Sequence, residues 1–413
     1  MKWPLAFLSL FLGLTVHAAP DASGLLPTAI ARPLLERDPS VASARAALEA
    51  ARVEAGILER SPYEWTARIS SQRRTVESGS RFNEWNAAIE RPWRLPAKAD
   101  ADASLATATA EEGQARVSAA LHGAGRELAS LWLEWLGAEN ARELSQSMQA
   151  ASTSNLDAVQ KRLRAGDASR LDVGLAQGEL AEQRRLANET ETQAKVAWAR
   201  LQARFPGLDR IAAQLPALLP PVETTTYLRD RILEQSDEIS LAQAQWRIAK
   251  AQAERARAER VPDPTIGLFA SSEFGGQERV VGVTVSIPIP DGLRSRRADK
   301  AAYSAEAARQ EIEQRRRQIE VEIAAALATV EGTFQAVQIA EAGSVAMQES
   351  AQLVQRAYSL GESDLQSLLT ARRQAAMAAQ GALAARVAAI KARTLLLVDA
   401  RLVWDLGHET RPQ

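Results

Sequence analysis

The sequence predicts a mainly α protein with a small transmembrane β part, built as one unit written twice: helix, β-hairpin, long helical hairpin. Three observations predict it. Landmarks of the first half recur about 200 residues later, as duplicated architectures require. Four segments of about 10 residues alternate apolar and polar side chains, the period and length of a tilted membrane strand. Long proline-free stretches rich in Ala, Glu, Gln and Arg follow each pair of alternating segments, and these are strong helix formers.

The duplication is read residue by residue. At an offset of 200, Ser40 falls on Ser240, Ala42 on Ala242, Ala44 on Ala244, and Glu59-Arg60-Ser61-Pro62 on Glu259-Arg260-Val261-Pro262. Arg91-Pro92-Trp93-Arg94-Leu95-Pro96 is answered by Ile287-Pro288-Ile289-Pro290. Leu163-Arg164-Ala165-Gly166-Asp167 is answered by Tyr358-Ser359-Leu360-Gly361-Glu362 at an offset of 195. The order is kept and the spacings differ only slightly. This divides the chain into a first repeat over 19–204, a Pro-rich joint over 205–226 with Pro206, Pro216, Pro220 and Pro221, and a second repeat over 227–413.

Ahead of the repeats, Lys2 precedes a mostly apolar run over residues 5–16, and Val16-His17-Ala18 resembles a small-residue cleavage site. That pattern predicts a secretory signal peptide over 1–18, too short to span a bilayer as a helix. No other segment reaches 18 consecutive apolar residues, so a mature chain that enters a membrane does so with strands.

The first repeat opens with a helix over 40–60, stopped by Pro62. Strands of about 63–74 and 82–91 follow around the turn Ser78-Gly79-Ser80, with Tyr63, Trp65, Ala67 and Ile69 on one face and Trp85, Ala87 and Ile89 on one face. The second repeat places strands at about 264–274 and 279–288 around Gly275-Gly276. Ile266, Leu268 and Ala270, then Val281, Val283, Val285 and Ile287, form its apolar faces, and Phe269 breaks the opposite, polar one. Tyr63, Trp65, Phe82, Trp85, Trp93 and Phe274 stand near strand ends, where an aromatic girdle meets the membrane–water boundary. Two ordinary hairpins packed on helices in a soluble domain would give the same alternation.

Past each hairpin, residues 97–155 and 291–411 lack proline. Ile312, Ile319, Ile323, Val330 and Val337 are spaced 7, 4, 7 and 7, a coiled-coil seam, and Leu121, Leu128, Leu131 and Trp135 repeat it in the first half. Each stretch is broken once, at Gly166 or Gly361, with Asp167, Ser169, Ser363 and Asp364 as helix-capping candidates beyond. Each repeat is therefore expected to end in a long helical hairpin with its tip near 166 or 361.

Composition narrows the chemistry. Fifty basic and 51 acidic residues give a formal charge of −1, without the basic excess of a nucleic-acid binder. Cysteine is absent, which excludes disulfides, a thiol nucleophile and a lipidated cysteine. His17, His122 and His408 are too scattered for a histidine metal site. No phosphate-loop, zinc-protease or nucleophile-elbow motif occurs, so no catalytic residue, cofactor or metal is expected. Four strands cannot close a barrel, which needs about eight, and an open sheet edge is not tolerated in lipid. If the strands enter a membrane, copies of the chain must share one barrel.

These residues resemble the TolC-like outer membrane factors over essentially the whole mature chain. The marks are the duplicated order, Pro262-Asp263-Pro264 ahead of the third strand, the corner Ile287-Pro288-Ile289-Pro290-Asp291-Gly292, and the tips Arg162-Leu163-Arg164-Ala165-Gly166 and Tyr358-Ser359-Leu360-Gly361. The resemblance implies a homotrimer with a 12-stranded β-barrel in the outer membrane on an α-helical tunnel in the periplasm. It implies a passive exit duct of a tripartite efflux or type I secretion system, without enzyme activity. The partners implied are outer membrane lipid, a periplasmic adaptor (membrane fusion) protein and an inner-membrane pump such as an RND transporter or ABC exporter. Arg162, Leu163, Gly166, Tyr358 and Gly361 match the tips that meet the adaptor. The tunnel constriction of the family falls on Ser367 and Thr370 here, in place of aspartates, with Asp167, Asp172, Glu362 and Asp364 nearby. A periplasmic coiled-coil adaptor or scaffold without a barrel is the competing reading.

Overall fold

A computed structural model describes residues 25–210, 214–218, 220 and 223–404. The signal peptide at 1–18 and Pro221 of the joint lie outside the described residues. The elements run α1 (Thr28–Glu36), α2 (Pro39–Glu59), β1 (Thr66–Thr75), β2 (Arg81–Pro92), α3 (Pro96–Ala165) and α4 (Arg170–Arg204). The second half repeats that order as α5 (Thr225–Gln235), α6 (Asp237–Ala258), β3 (Thr265–Glu273), β4 (Glu278–Ser286), α7 (Gly292–Leu360) and α8 (Leu365–Asp399). Each half holds one short helix, α1 or α5, beyond the single helix expected ahead of the strands. Capping chemistry separates each pair: Asp38 accepts from the Ser40 N–H at 2.8 Å with Pro39 opening α2, and Ser236 accepts from the Ile239 N–H at 3.3 Å to open α6.

The chain divides into two compact units, one with Arg32–Glu127 and Pro221–Thr329, the other with Leu128–Pro220 and Val330–His408. The first contains a four-stranded antiparallel sheet in the order β1-β2-β3-β4. Within it α3 runs close to α2, since a Cβ on Gly113 would stand 3.0 Å from Leu48. The second is all helix among its described residues. Its core includes Leu128, Trp132, Leu133, Leu136 and Leu201, and the rings of Trp132, Trp135 and Trp198 follow one another at 4.9 Å.

By length and composition one described helix, α7, is apolar enough to cross a membrane. Its buried positions Ile319, Ile323, Val330 and Val337 instead keep the seven-residue seam of helix–helix packing.

Candidate functional site

The middle rows of the sheet gather apolar side chains on one face. Ile69 stands opposite Ala87, Ala87 opposite Ala270, and Ala270 opposite Val281; Ala67, Ile89, Leu268 and Val283 form the next row. These apolar rows are open: Ile69 is 81% exposed and Val281 80%. A water-facing sheet would not leave its apolar face uncovered, and lipid would cover it. The opposite face is polar and internally paired. Arg74 meets Glu84 at 3.0 Å and Glu273 at 3.6 Å, Gln72 donates to Glu84 at 2.8 Å, and Arg68 meets Glu90 at 3.0 Å. Phe269, a large apolar side chain on that face, packs on the bare backbone of Gly282, where a Cβ would come 2.6 Å from its ring.

The six girdle candidates do not share one place. Trp65, Trp85 and Trp93 are exposed around the apolar face. Phe82, on the polar-face parity of β2, stacks edge to face at 5.5 Å on Phe274 in the turn after β3, with the Arg74 guanidinium over the Phe274 ring. Tyr63 precedes β1 and donates its hydroxyl to Asp263.

That Tyr63–Asp263 bond belongs to a buried ionic cluster where helices meet strands. Lys98, the third residue of α3, is 1% exposed and lies 3.0 Å from Asp263 and 3.5 Å from Glu259. Arg255 bonds Asp102 at 2.5 Å and also Glu259, while the Leu95 N–H donates to Asp263 at 3.1 Å. Arg94 donates to the carbonyls of Leu58, Glu59 and Arg60 and to Asp102, and Arg294 donates to the Glu259 carbonyl and carboxylate. Arginines thereby satisfy the last carbonyls of α2 and α6.

Burial pushes the carboxyls of Asp263 and Glu259 upward, but their partners outweigh it. The Tyr63 hydroxyl, Lys98 and the Leu95 N–H hold Asp263 below its ordinary 3.8, and Arg255 and Lys98 hold Glu259 below its ordinary 4.5. Burial and the bond to Asp263 push Tyr63 up to about 12. The linkage has two limbs. The carboxylates' contribution is full above pH 4.5 and falls as pH drops through their lowered values; that of Tyr63 is full below pH 10 and falls as pH rises toward about 12. A melting temperature followed against pH is expected to drop at both ends, and Asp263→Asn to flatten both limbs; an unchanged profile in that variant would contradict the assignment.

The two tips are built alike. Gly166 (φ 87°) donates to the Leu163 carbonyl at 3.0 Å and the Asp167 N–H to the Arg162 carbonyl at 2.8 Å. Gly361 (φ 80°) donates to Tyr358 at 3.2 Å and the Glu362 N–H to Ala357 at 2.9 Å. The positive φ and the paired bonds need glycine. Ser169 then caps α4 in a reciprocal box with Asp172, and Asp364 caps α8 by accepting from the Ser367 N–H at 2.7 Å. That N–H and the Ser367 hydroxyl hold the Asp364 carboxyl below its ordinary value.

The tips share one core. Val159, Ala176, Leu365, Leu368 and Leu369 pack together with Tyr358 against them, and the Arg162 guanidinium lies 4.9 Å over the Tyr358 ring. Asp167, Glu362, Asp364, Ser367 and Thr370 are exposed, whereas Asp172 is half-buried. The structure adds Leu171 (70% exposed) and Leu360 (68%), apolar side chains open beside the turns. Among the described residues, no three of His, Asp and Glu cluster to hold a metal.

A sheet with one lipid-compatible face and one polar face, joined in duplicate to long helical hairpins, defines a membrane channel of the TolC-like class. The family model for outer membrane efflux proteins matches residues 31–204 and 228–397, and the chain belongs to that family, working in the outer membrane as an exit duct with its helical part in the periplasm. The outer-membrane channel OprN has the same fold at TM-score 0.75 and 19% identity, covering 94% of this chain and 98% of that one. The CmeC outer membrane channel of Campylobacter jejuni matches at TM-score 0.74 and 14% identity over 93% and 86%. The open-state MtrE outer membrane channel of Neisseria gonorrhoeae matches at 0.71 and 20% over 90% and 88%. No curated protein sequence matches the chain.

Proposed function

We propose that three copies of this chain close one 12-stranded barrel and pass substrates outward without using energy of their own. One observation carries this reading: among the described residues β1 pairs only with β2 and β4 only with β3, so an apolar sheet ends in two open edges. Lipid does not tolerate open edges, and β1 of one copy against β4 of the next removes them all. Three copies give 12 strands, within the known range of membrane barrels. The polar face then lines the lumen.

The tips are the docking surface for a periplasmic adaptor that joins the duct to an inner-membrane pump. Arg162, Leu163, Gly166, Tyr358 and Gly361 set the turn geometry, and Leu171 and Leu360 offer apolar contacts beside it. Asp167, Glu362 and Asp364, each repeated by threefold symmetry, would make the opening acidic and favour cations.

The native mass of detergent-extracted protein tests the assembly. A mass three times that of the mature chain, recovered from outer membranes, is expected. A soluble monomer or dimer would remove the barrel and leave a coiled-coil scaffold.

A further inference from the structure

On the apolar side of the sheet, where α2 and α3 join it, lies a cleft of about 580 Å³. That volume is in the range of small-molecule sites, about 300–1,000 Å³. Trp65 and Trp93 stand exposed around it, and Ile89, Ile266 and Leu268 line it. Two arginines line the cleft, and their states differ. Arg94 is consumed by three carbonyls and Asp102. Arg91 gives only its Nε–H to the Tyr63 carbonyl at 3.0 Å, and its guanidinium lies 5.6 Å over the Trp65 ring. Among the described residues no carboxylate pairs with it. A guanidinium with free N–H groups beside an apolar groove is complementary to an anion carrying an apolar tail.

We propose that this cleft binds one glycerophospholipid of the periplasm-facing leaflet per chain. An acyl chain lies on Ile89, Ile266 and Leu268 between the two tryptophans, and Arg91 holds the phosphate. The proposal rests on the reading of this sheet face as lipid-facing, and two further arguments support it. The cleft is continuous with the exposed rows of Ile69 and Val281, so an acyl chain enters it without leaving apolar surroundings. The indole N–H groups of Trp65 and Trp93 suit the ester and phosphate level of a bilayer.

The test uses native mass spectrometry of the full-length, delipidated, detergent-extracted protein. Phosphatidylglycerol, diacylglycerol with the same chains, and inorganic phosphate are the probes. Phosphatidylglycerol is expected to saturate at one per chain and diacylglycerol to bind about tenfold more weakly, the weight of a charge-assisted contact. Arg91→Gln is expected to weaken phosphatidylglycerol about tenfold and leave diacylglycerol unchanged. Ile266→Trp, which fills the cleft and stays apolar, is expected to lower both. Adducts that grow without saturating, undiminished phosphatidylglycerol on Arg91→Gln, or equal binding of inorganic phosphate alone would each overturn the site. Flotation with phosphatidylglycerol vesicles separates the two readings. Protein that fails to float refutes the lipid-facing sheet and the site with it, whereas protein that floats without saturable lipid refutes only the site.

Discussion

Lys98→Met is expected to destabilise the protein by about 3–5 kcal/mol, the cost of leaving a buried charge without its partner. The Lys98 ammonium is 1% exposed and lies between Asp263 and Glu259. Without it Asp263 keeps only the Tyr63 hydroxyl and the Leu95 N–H, and burial then favours the protonated acid. Adding Asp263→Asn to Lys98→Met should recover part of the loss, because no unpaired carboxylate then remains. Arg309→Ala makes the control. Its contact with Glu306 is shorter, 2.7 Å, but both side chains are about half exposed, and removing it should change stability by less than about 0.5 kcal/mol. Thermal unfolding in detergent, followed by circular dichroism, reads all four proteins. A loss below about 1 kcal/mol for Lys98→Met would mean that water reaches the cluster and that the joint is held by other contacts.

Val281→Arg is expected to cost about 2–4 kcal/mol in the membrane, the penalty for a cation on the lipid face of a barrel near mid-depth. Val281 stands in the central row with Ile69, Ala87 and Ala270, and is 80% exposed. Thr284→Arg, three residues along the same strand, turns the same side chain to the polar face. There it lies beside Gly267, with Glu90 one strand further. The amount of folded protein in isolated outer membranes should fall sharply for the first variant and stay near the parent for the second. Equal losses would mean that the alternation does not separate lipid from water.

Much of this architecture was legible because its physics is local. Alternation revealed the strands, since side chains at successive positions must face opposite ways. Gly166 and Gly361 marked the turns because their positive φ excludes most other residues. Phe269 stood out as an intruder on a polar face, and only the register explains it, by placing Gly282 opposite. The boundary between α1 and α2 was not read, because Pro33 inside α1 and Pro39 opening α2 are similar punctuation in a sequence. The ionic joint was also hidden. Arg255 and Glu259 stand four residues apart, and nothing local shows that Lys98, 161 residues earlier, lies 3.5 Å from the same glutamate. The bond from Tyr63 to Asp263 was hidden too, because the acceptor lies 200 residues away.

The joint also records what became of the duplication. Tyr63 and Asp263, the residues after Pro62 and Pro262, are hydrogen-bonded to each other. The third residues of α3 and α7, Lys98 and Arg294, both reach Glu259, but the seventh are Asp102 and Ala298. A gene rebuilt from two copies of the second half would set aspartate against aspartate and give Arg255 an alanine in place of Asp102. One rebuilt from two copies of the first would set tyrosine against tyrosine. The halves have become lock and key to each other, so the ancestral fusion can no longer be undone by exchanging one half for the other.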